Sequence, residues 1–328
     1  MPDVATTFLR DQLIDRRQRL STAANRQPRE IHLKQLLHEV DAALSRMEQG
    51  TYGICELCHE PVEASRLVGD PLVRYCLDHL SPAERSALQY DLDAAAALQR
   101  GLLPPSETQH DGWQVAHRYR PLGAVSGDYC DLVAAEGPER DLFFFLGDVS
   151  GKGVAASMLT AQLHAIFGSL VARRVGMSSL LSEAGHIFGR SSLSPFFATL
   201  VGGRTSAGGK IEIANAGHCP PLLVRDGTVT RLEASGVPLG IAANCEYRAE
   251  QLQLDPGDIL LIYTDGLTEA RDSADEEYGE ERVIEAIRER CHSDAREVVD
   301  ASLERLEQFL RGSAPSDDLT VMAIRRSG

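Results

Sequence analysis

Hydrophobic residues near the N-terminus recur with helical periodicity. Five of them are spaced by four, three, four and three residues: Leu33, Leu37, Val40, Leu44 and Met47. Gly50 follows where the C-terminus of that helix is expected. A shorter stripe of leucines lies between residues 9 and 20, and we place the turn between the two helices at residues 23–28. The pattern therefore predicts a helical hairpin within residues 1–80.

A second helical pattern begins at Ser81, which is followed by Pro82 at the first helical position and Glu84 at the third. This arrangement is a capping box. Leucine and alanine residues then mark one face, and two prolines at 104–105 stop the helix. We predict a linker helix over residues 81–105, which could act as a lever, as a dimer seam, or as a spacer that packs on the next domain.

The remaining residues, 106–328, carry short strand patterns and longer helical ones. Strand patterns fall at 113–119, 141–146, 196–202, 210–215, 221–225, 228–232, 258–263 and 319–324. Helical patterns fall at 154–174, 178–188, 281–290 and 295–310. Successive strands flanked by pairs of helices predict an α+β domain rather than a doubly wound α/β domain.

Length and charge limit the classes of function. The chain has 328 residues, enough for two domains, and 33 basic against 48 acidic residues give a net charge of −15. Binding along a phosphate backbone needs many cationic contacts, so we expect no nucleic-acid partner. We find no uncharged apolar stretch near the length of about 18 residues that spans a bilayer. The N-terminus also lacks the apolar core of a signal peptide, so we expect no membrane association and a cytoplasmic location.

Three of the seven cysteines lie in the first quarter of the chain. With a histidine they form a C-x2-C…C-x2-H pattern: Cys55, Cys58, Cys76 and His79. This spacing is typical of a tetrahedral zinc site. His59 and Asp78 are rival fourth ligands, and three thiols without a metal are the alternative. The other cysteines are scattered, which predicts a reducing compartment rather than a disulfide framework.

Residues 50–58 read Gly-Thr-Tyr-Gly-Ile-Cys-Glu-Leu-Cys and follow the heptad-like helix. This segment resembles the DksA/TraR zinc-finger family, in which a coiled-coil hairpin carries a four-cysteine finger and binds RNA polymerase. Here His79 takes the place of the fourth cysteine. The hairpin is short, and its expected tip at 21–28 lacks the acidic residues of the polymerase-acting members. The resemblance implies a structural zinc ion in residues 1–80.

Four acidic motifs lie at the ends of strand patterns. They are Ser126-Gly127-Asp128, Gly147-Asp148-Val149, Thr264-Asp265-Gly266 and Ser316-Asp317-Asp318. Each Asp-Gly pair alone is more typical of a turn. Together, carboxylates from distant positions predict a site for Mg²⁺ or Mn²⁺, and two such ions can lower the pKa of a water. The glycine-rich loop is not a Walker A motif, because only three residues separate Gly147 from Gly151.

These motifs occur in a fixed order, together with the linker end at 98–104 and an Asn-Ala-Gly-His-Cys-Pro-Pro run at 215–221. In that order they resemble the SpoIIE/RsbU-type branch of the PPM (2C-like) metal-dependent protein phosphatases. The resemblance implies an αββα four-layer sandwich, in which two β-sheets pack face to face with helices outside. It also implies a site for two Mn²⁺ or Mg²⁺ ions.

The resemblance assigns roles to individual residues. The catalytic residues that it implies are Asp128, Asp148, Asp265 and Asp317. Asp148 would bridge the two metals, the Val149 carbonyl would join it, Asp265 and Asp317 (or Asp318) would hold the second metal, and Asp128 would complete the site. Hydrolysis would use metal-activated water and no covalent phosphoenzyme.

Three other residues have two open interpretations each. His218 is either a general acid or part of a structural corner. Arg118 or Arg120 either steers the phosphate or forms an ion pair on the surface of its strand.

The resemblance implies a protein serine/threonine phosphatase that acts in signal transduction. Its substrate would be a phosphorylated STAS-type anti-sigma-factor antagonist, in a partner-switching pathway that regulates a sigma factor. The zinc module (1–80) would regulate the phosphatase domain (106–328) through the linker (81–105), and such linkers commonly pair, which predicts a homodimer. The alternative is a DksA-like transcription regulator that binds RNA polymerase and uses the phosphatase fold as a sensor.

Overall fold

The computed structural model describes residues 4–26, 31–63, 66–67, 70–80, 82–135, 140–191, 196–242 and 245–327. The chain divides into two compact units, Met1–Tyr90 and Asp91–Gly328. Each unit has its own buried clusters of hydrophobic side chains. The two are therefore described separately.

The first unit begins with the helical hairpin expected from the leucine pattern. Helix α1 (Val4–Arg26) packs against α2 (Ile31–Glu48), with Leu13 and Val40 fully buried between them. The predicted turn at 23–28 is placed too early, because α1 continues through Arg26. Residues 27–30 lie outside the described part of the chain.

A compact segment rich in cysteine follows α2. Its own small cluster buries Cys55 and Cys76 with Leu9 of α1 and Val62. A salt bridge ties the segment to α2, since Arg46 Nη1 lies 3.1 Å from Glu56 Oε1. The segment is thus held by both apolar and ionic contacts.

Helix α3 (Pro82–Leu102) begins in the first unit and ends in the second. A helix is thus present within the predicted range 81–105, while Ser81 lies outside the described residues. Four large hydrophobic side chains on it are exposed: Leu88, Tyr90, Leu98 and Leu102. In contrast, Ala96 and Gln99 are buried.

In the described part of the second unit, eleven strands form two antiparallel sheets. The strands are β1 (Glu107–His110), β2 (Trp113–Arg120), β3 (Asp128–Ala134), β4 (Leu142–Val149), β5 (Ala198–Thr205), β6 (Lys210–Ala216), β7 (Leu222–Arg225), β8 (Thr228–Arg231), β9 (Glu250–Gln253), β10 (Ile259–Tyr263) and β11 (Leu319–Arg326). One sheet has the order β1-β2-β11-β10-β7-β8, and the other β3-β4-β5-β6-β9.

Within the described residues of this unit, five helices follow α3 and accompany the sheets. They are α4 (Val154–Val171), α5 (Met177–Ser191), the short α6 (Asp265–Thr268), α7 (Gly279–Arg288) and α8 (Ala295–Leu310). Helices α4 and α5 pack on the five-stranded sheet, and α7 and α8 on the six-stranded sheet.

Strand β4 shows why the layers form. Phe143 and Phe145 belong to the hydrophobic cluster shared with α4 and α5, whereas Phe144 and Leu146 belong to the cluster between the two sheets. Successive strand residues point to opposite faces, so a continuous apolar run has both faces covered. Strand β10 repeats this alternation. The expected αββα four-layer sandwich is confirmed.

Helix α4 corrects one expectation from the sequence. Among the described residues it is long and apolar enough, by length and composition alone, to cross a membrane. The expectation that no stretch approaches this length is therefore wrong. The helix is apolar because one of its faces packs in the core, where its residues Leu163 and Phe167 are fully buried.

Candidate active site

The first pair of acidic residues is brought together by antiparallel pairing. Asp128 is the first residue of β3, and Asp148 is next to last in β4. The two residues lie directly opposite each other in the register of these strands. Because the start of one antiparallel strand lies beside the end of its neighbour, two residues 20 apart in sequence lie at the same end of the sheet.

The second group of acidic residues lies at the facing strand ends of the other sheet. Strand β10 ends at Tyr263, just before Asp265, and β11 starts just after Asp317 and Asp318. Gly266 is required here, since a Cβ on it would lie 1.9 Å from the Asp318 carbonyl oxygen. The Asp-Gly pair therefore serves the close approach of two backbone segments.

Asp128 connects the two sheets. Its Oδ2 accepts hydrogen bonds from the hydroxyls of Thr264 (3.1 Å) and Thr320 (2.5 Å). Burial is the main reason that the pKa of Asp128 lies well above its usual range, and the nearby Asp148 and Asp318 add to the effect. Asp128 thus lies behind the site, bound to two buried hydroxyls.

Asp317 and Asp318 have different surroundings. The Asp318 carboxylate accepts hydrogen bonds from the backbone N–H groups of Leu122 (2.6 Å) and Gly127 (2.8 Å), and so it fixes the loop before β3. The Asp317 carboxylate is more exposed and lies 3.0 Å from the Lys152 ammonium. Both oxygens of Asp317 also accept hydrogen bonds, from the Asp318 N–H (2.9 Å) and from the exposed Lys152 ammonium (3.0 Å). Asp317 is the more accessible of the two carboxylates, which favours it as the cation ligand.

Mutual repulsion marks the acidic group. Burial and then the charges of Asp265, Asp317 and Asp318 raise the pKa of Asp148 to about 7, and Lys152 opposes them. Burial and Asp317 likewise raise the pKa of Asp265. In a group like this, each carboxylate resists ionisation of the next.

The structure adds two residues that the sequence analysis did not assign. The pKa of Glu269 is raised by burial and by the charge of Asp265, which places Glu269 beside the group. Lys152 contacts Asp317 through its ammonium and also donates to the Ser316 carbonyl (3.2 Å). Both residues lie within a few positions of an acidic motif, but their positions in the sequence alone did not indicate a role for either.

The donor set suits a hard divalent cation. Asp148, Asp265 and Asp317 supply carboxylate oxygens, and Val149 supplies a carbonyl at the same edge, its own N–H donating to the Gly127 carbonyl (3.0 Å). Within the described ranges, these acids do not form a group whose ligand atoms all lie within 4.8 Å. Mg²⁺ usually keeps several waters, so a wider site still fits it. A cation would offset both the burial and the repulsion that raise the pKa values of Asp148 and Asp265.

His218 is held in a turn. Its backbone N–H donates to Asn215 Oδ1 (2.8 Å), and the Asn215 side-chain amide donates to the His218 carbonyl (3.1 Å). The ring Nδ1 lies 2.8 Å from the Thr199 hydroxyl, and burial lowers the pKa of the ring to about 4. A neutral, buried imidazole in a closed turn favours the structural corner over the general acid.

The two arginines considered for phosphate steering are ion-paired. Arg118 Nη2 lies 2.8 Å from Asp300 Oδ1, and Arg120 Nη1 lies 2.6 Å from Glu307 Oε1. Both acidic partners belong to α8. The ion-pair interpretation is therefore confirmed for both.

In the first unit, the four predicted zinc ligands come together. One ligand atom from each of Cys55, Cys58, Cys76 and His79 lies within 4.8 Å of the others, and this group could hold a metal ion. His59 and Asp78 are not members of the group. All seven cysteines are free thiols, so no disulfide competes for the sulfurs.

The chain is similar to a known protein family and to several known proteins. The family model described as Stage II sporulation protein E (SpoIIE) matches residues 138–327. Protein IcfG of Synechocystis sp. is 26% identical over 266 residues, which are 72% of this chain but only 42% of IcfG. Phosphoserine phosphatase RsbU of Bacillus subtilis is 26% identical over 246 residues, covering 73% of this chain and 71% of RsbU.

A solved structure shows the same fold. The SiaA-PP2C domain of Pseudomonas aeruginosa is 21% identical and has a TM-score of 0.64, covering 75% of this chain and 99% of that domain. The match to the SpoIIE model covers more than half of the chain and includes three of the four acidic motifs. The chain therefore belongs to the SpoIIE family and contains its PPM (PP2C-like) phosphatase domain.

Proposed function

We propose that this protein is a metal-dependent phosphatase of phosphoserine and phosphothreonine in proteins. The observation that carries the proposal is the acidic group at the strand ends of the two sheets, in which burial and then neighbouring charges raise the pKa of Asp148 to about 7. Without a cation, clustering these partly buried carboxylates lowers the stability of the fold, whereas with a cation bound the same carboxylates act as its ligands. The name of RsbU, a phosphoserine phosphatase, supports the same reaction.

Two Mn²⁺ or Mg²⁺ ions would be held by Asp148, the Val149 carbonyl, Asp265 and Asp317. When bound, such ions supply stabilisation of the transferring phosphoryl charge and a water of lowered pKa. The residues of the chain keep the ligands in place. Asp128, through its two threonine hydroxyls, fixes the sheet edges relative to each other, and it acts as a positioning residue.

The test is hydrolysis of a phosphoserine peptide with Mn²⁺ by the full chain and by Asp148→Asn. We expect metal-dependent turnover by the unmodified protein and loss of at least about 100-fold in the variant, a scale typical of a lost charge-stabilising group. Asp226→Asn, at the exposed turn between β7 and β8, is the matched control. Equal rates in all three proteins, or activity that survives removal of divalent cations, would contradict the mechanism.

For the substrate, we propose a phosphorylated STAS-type anti-sigma-factor antagonist, acting in a partner-switching pathway in the cytoplasm. The support is the family resemblance together with the name of RsbU. A phosphoproteomic comparison of cells with active protein and cells with Asp148→Asn tests it. An antagonist of this type should gain phosphoserine in the variant, and an unchanged antagonist would contradict the assignment.

We propose that the cysteine and histidine group of the first unit binds one zinc ion. The Sγ atoms of Cys58 and Cys76 are 3.7 Å apart, close to the edge of about 3.8 Å expected for two sulfurs on tetrahedral zinc. Burial raises the pKa of Cys55, but backbone hydrogen bonds from Cys58 and Cys76 outweigh it and lower that pKa to about 6. Burial and the neighbouring Cys55 and Cys58 raise the pKa of Cys76 to about 11, so without a cation the clustered thiols cannot all ionise, and a zinc ion would remove that conflict. Elemental analysis should find one zinc per chain, kept in His79→Cys and lost in Cys58→Ser.

Regulation would pass through α3 by way of Gln99. The Gln99 amide donates to the Ser126 carbonyl (2.8 Å) and to the Thr160 hydroxyl (3.1 Å), and its Oε1 accepts from the Ser126 N–H (3.0 Å). Ser126 in turn accepts through its Oγ from the Asp128 N–H (3.0 Å). A movement of α3 would therefore reach the acidic site through only two residues.

The exposed hydrophobic side chains of α3 support a homodimer formed through this helix. Exposed apolar patches of this kind mark interaction surfaces. Light scattering should give the mass of two chains for the unmodified protein and of one chain for Leu98→Glu. A single-chain mass for the unmodified protein at micromolar concentration would contradict the dimer.

A further inference from the structure

A cavity of about 350 Å³ lies beside the acidic site and has no part in the chemistry described above. Asp317 and Gly266 contribute to its wall, so the cavity is continuous with the acidic group. Its remaining wall comes from the end of α8, the loop from residue 312 to 316, and Arg120 with Pro121.

The wall is mainly apolar. Its hydrophobic members are Leu306, Leu310, Leu319, Ala270 and Pro315. The three leucines are at least nine-tenths buried, and they also pack in the core of the helix layer, which fixes the shape of the wall. A concave apolar cavity of this size with few polar groups is typical of a ligand-binding site.

The charges at the cavity cancel each other on one side. Arg120 and Glu307 both line it, and they form an ion pair of 2.6 Å. Because this pair is neutral as a unit, it offers no strong preference for a charged group. On the other side, the wall includes Asp317, which belongs to the acidic site and is ion-paired with Lys152. The cavity therefore combines an apolar interior with an outlet toward the cation ligands.

We propose that this cavity binds an apolar side chain of the phosphoprotein substrate, within a few residues of the phosphoserine. The proposal rests on the phosphatase function proposed above. A phosphoserine side chain alone presents little surface for discrimination between proteins. Binding energy from a neighbouring side chain, away from the reacting atoms, can be used to orient the phosphate at the acidic site.

The expected size of the effect follows from apolar burial. Moving one leucine-sized side chain from water into the cavity should raise kcat/KM by about 10- to 100-fold over a glycine at the same place. The preference should depend on position, since one cavity at one distance from Asp317 can accept only one register of the peptide.

The experiment uses the full chain with Mn²⁺ and a set of synthetic phosphoserine peptides. Leucine replaces glycine in turn at each of the three positions before and after the phosphoserine. Hydrolysis of para-nitrophenyl phosphate, which has no flanking residue, serves as the reference. The measured quantity is the ratio of kcat/KM for each peptide to that for the reference compound.

Two variants place a large side chain in the cavity or at its wall: Ser313→Trp and, as a second in case the first does not fold, Pro315→Trp. The matched control is Ser293→Trp. Ser293 and Ser313 are both half-buried, and each donates its N–H to a carbonyl three residues back at the end of a helix, at 2.9 Å. Ser293 does not line the cavity.

We expect the unmodified protein and Ser293→Trp to prefer leucine at one position by about tenfold or more, and the cavity variants to lose that preference. Absence of a preference in the unmodified protein, or its survival in a folded cavity variant, would overturn the proposal. A mass change on light scattering of Ser313→Trp, without any peptide preference, would assign the cavity to a contact between copies instead. Failure to hydrolyse even the reference compound would refute the phosphatase function itself.

Discussion

Replacing Asp148 by asparagine should stabilise the cation-free protein while it abolishes phosphatase activity. The reason is the pKa of Asp148, which burial and the neighbouring acids raise from the usual 3.8 to about 7. Between these two values, the unfolded chain has released the proton that the folded chain still holds. The folded state therefore binds more protons, and the free energy of unfolding falls as the pH rises through this range.

The magnitude follows from the size of the pKa change. Each pH unit between 3.8 and about 7 costs about 1.4 kcal/mol, so the ionised Asp148 side chain destabilises the cation-free fold by about 4 kcal/mol at pH 8. At pH 5 the cost is about 1.7 kcal/mol, at pH 4 it is about 0.6 kcal/mol, and it vanishes only well below pH 3.8. Asparagine carries no charge at any of these pH values, so the variant should be more stable by these amounts.

The assay is urea unfolding of both proteins at pH 4, 5 and 8, in buffer freed of Mn²⁺ and Mg²⁺ by a chelating resin. No soluble chelator is added, so that the cysteine-rich module keeps its metal. Asp226→Asn, at an exposed turn where asparagine accepts the positive φ, should differ from the unmodified protein by less than about 0.5 kcal/mol at each pH. A stability gain in Asp148→Asn that does not grow with pH, or a loss at pH 8, would refute the reasoning.

Further predictions concern the same site. Apparent Mn²⁺ affinity, measured by calorimetry, should weaken about tenfold for each pH unit below 7, because the cation competes with the proton on Asp148. Lys152→Met should move the acidic limb of the pH–activity profile to higher pH, because the ammonium of Lys152 lowers the pKa of Asp148. Gln99→Ala should lower stability by about 1–3 kcal/mol, since it leaves the buried backbone groups of Ser126 without partners. The same variant should weaken Mn²⁺ binding more than Gln89→Ala, a change on an exposed face of the same helix.

The strands that the sequence predicts best are those buried on both faces. Strands β4 and β10 read as continuous apolar runs, and the two-sided cores of the sandwich explain why. Strand β3 was not among the predicted strands. Strands β1 and β9 were not predicted either, because they read Glu-Thr-Gln-His and Glu-Gln-Leu-Gln. Each lies at the edge of its sheet, so its place depends on backbone hydrogen bonds to one neighbour rather than on its side chains.

The site was predicted in composition but not in arrangement. The sequence marks acidic residues beside strand patterns, yet it contains no information on which strands pair, so the meeting of Asp128 with Asp148 needs the β3–β4 register. The choice between Asp317 and Asp318 could not be made from spacing either. It depends on which carboxylate accepts hydrogen bonds from the backbone of residues 122 and 127, a contact across almost 200 residues of sequence.

The same long-range contacts explain how a sandwich of two separate sheets keeps a charged site at its edge. Among the described residues, the strands of each sheet are hydrogen-bonded to one another, and the two sheets are separate. At the active edge, Asp128 of one sheet binds the hydroxyls of Thr264 and Thr320 beside and within the other. Asp128 is buried, and its carboxylate binds protein hydroxyls. Asp148, Asp265 and Asp317 are less buried, which suits them better to bind a cation, although Asp317 is ion-paired with Lys152. The two buried carboxylates, Asp128 and Asp318, thus bind groups of the protein, and the three less buried ones are those we propose as cation ligands, so burial rather than residue type separates the two sets.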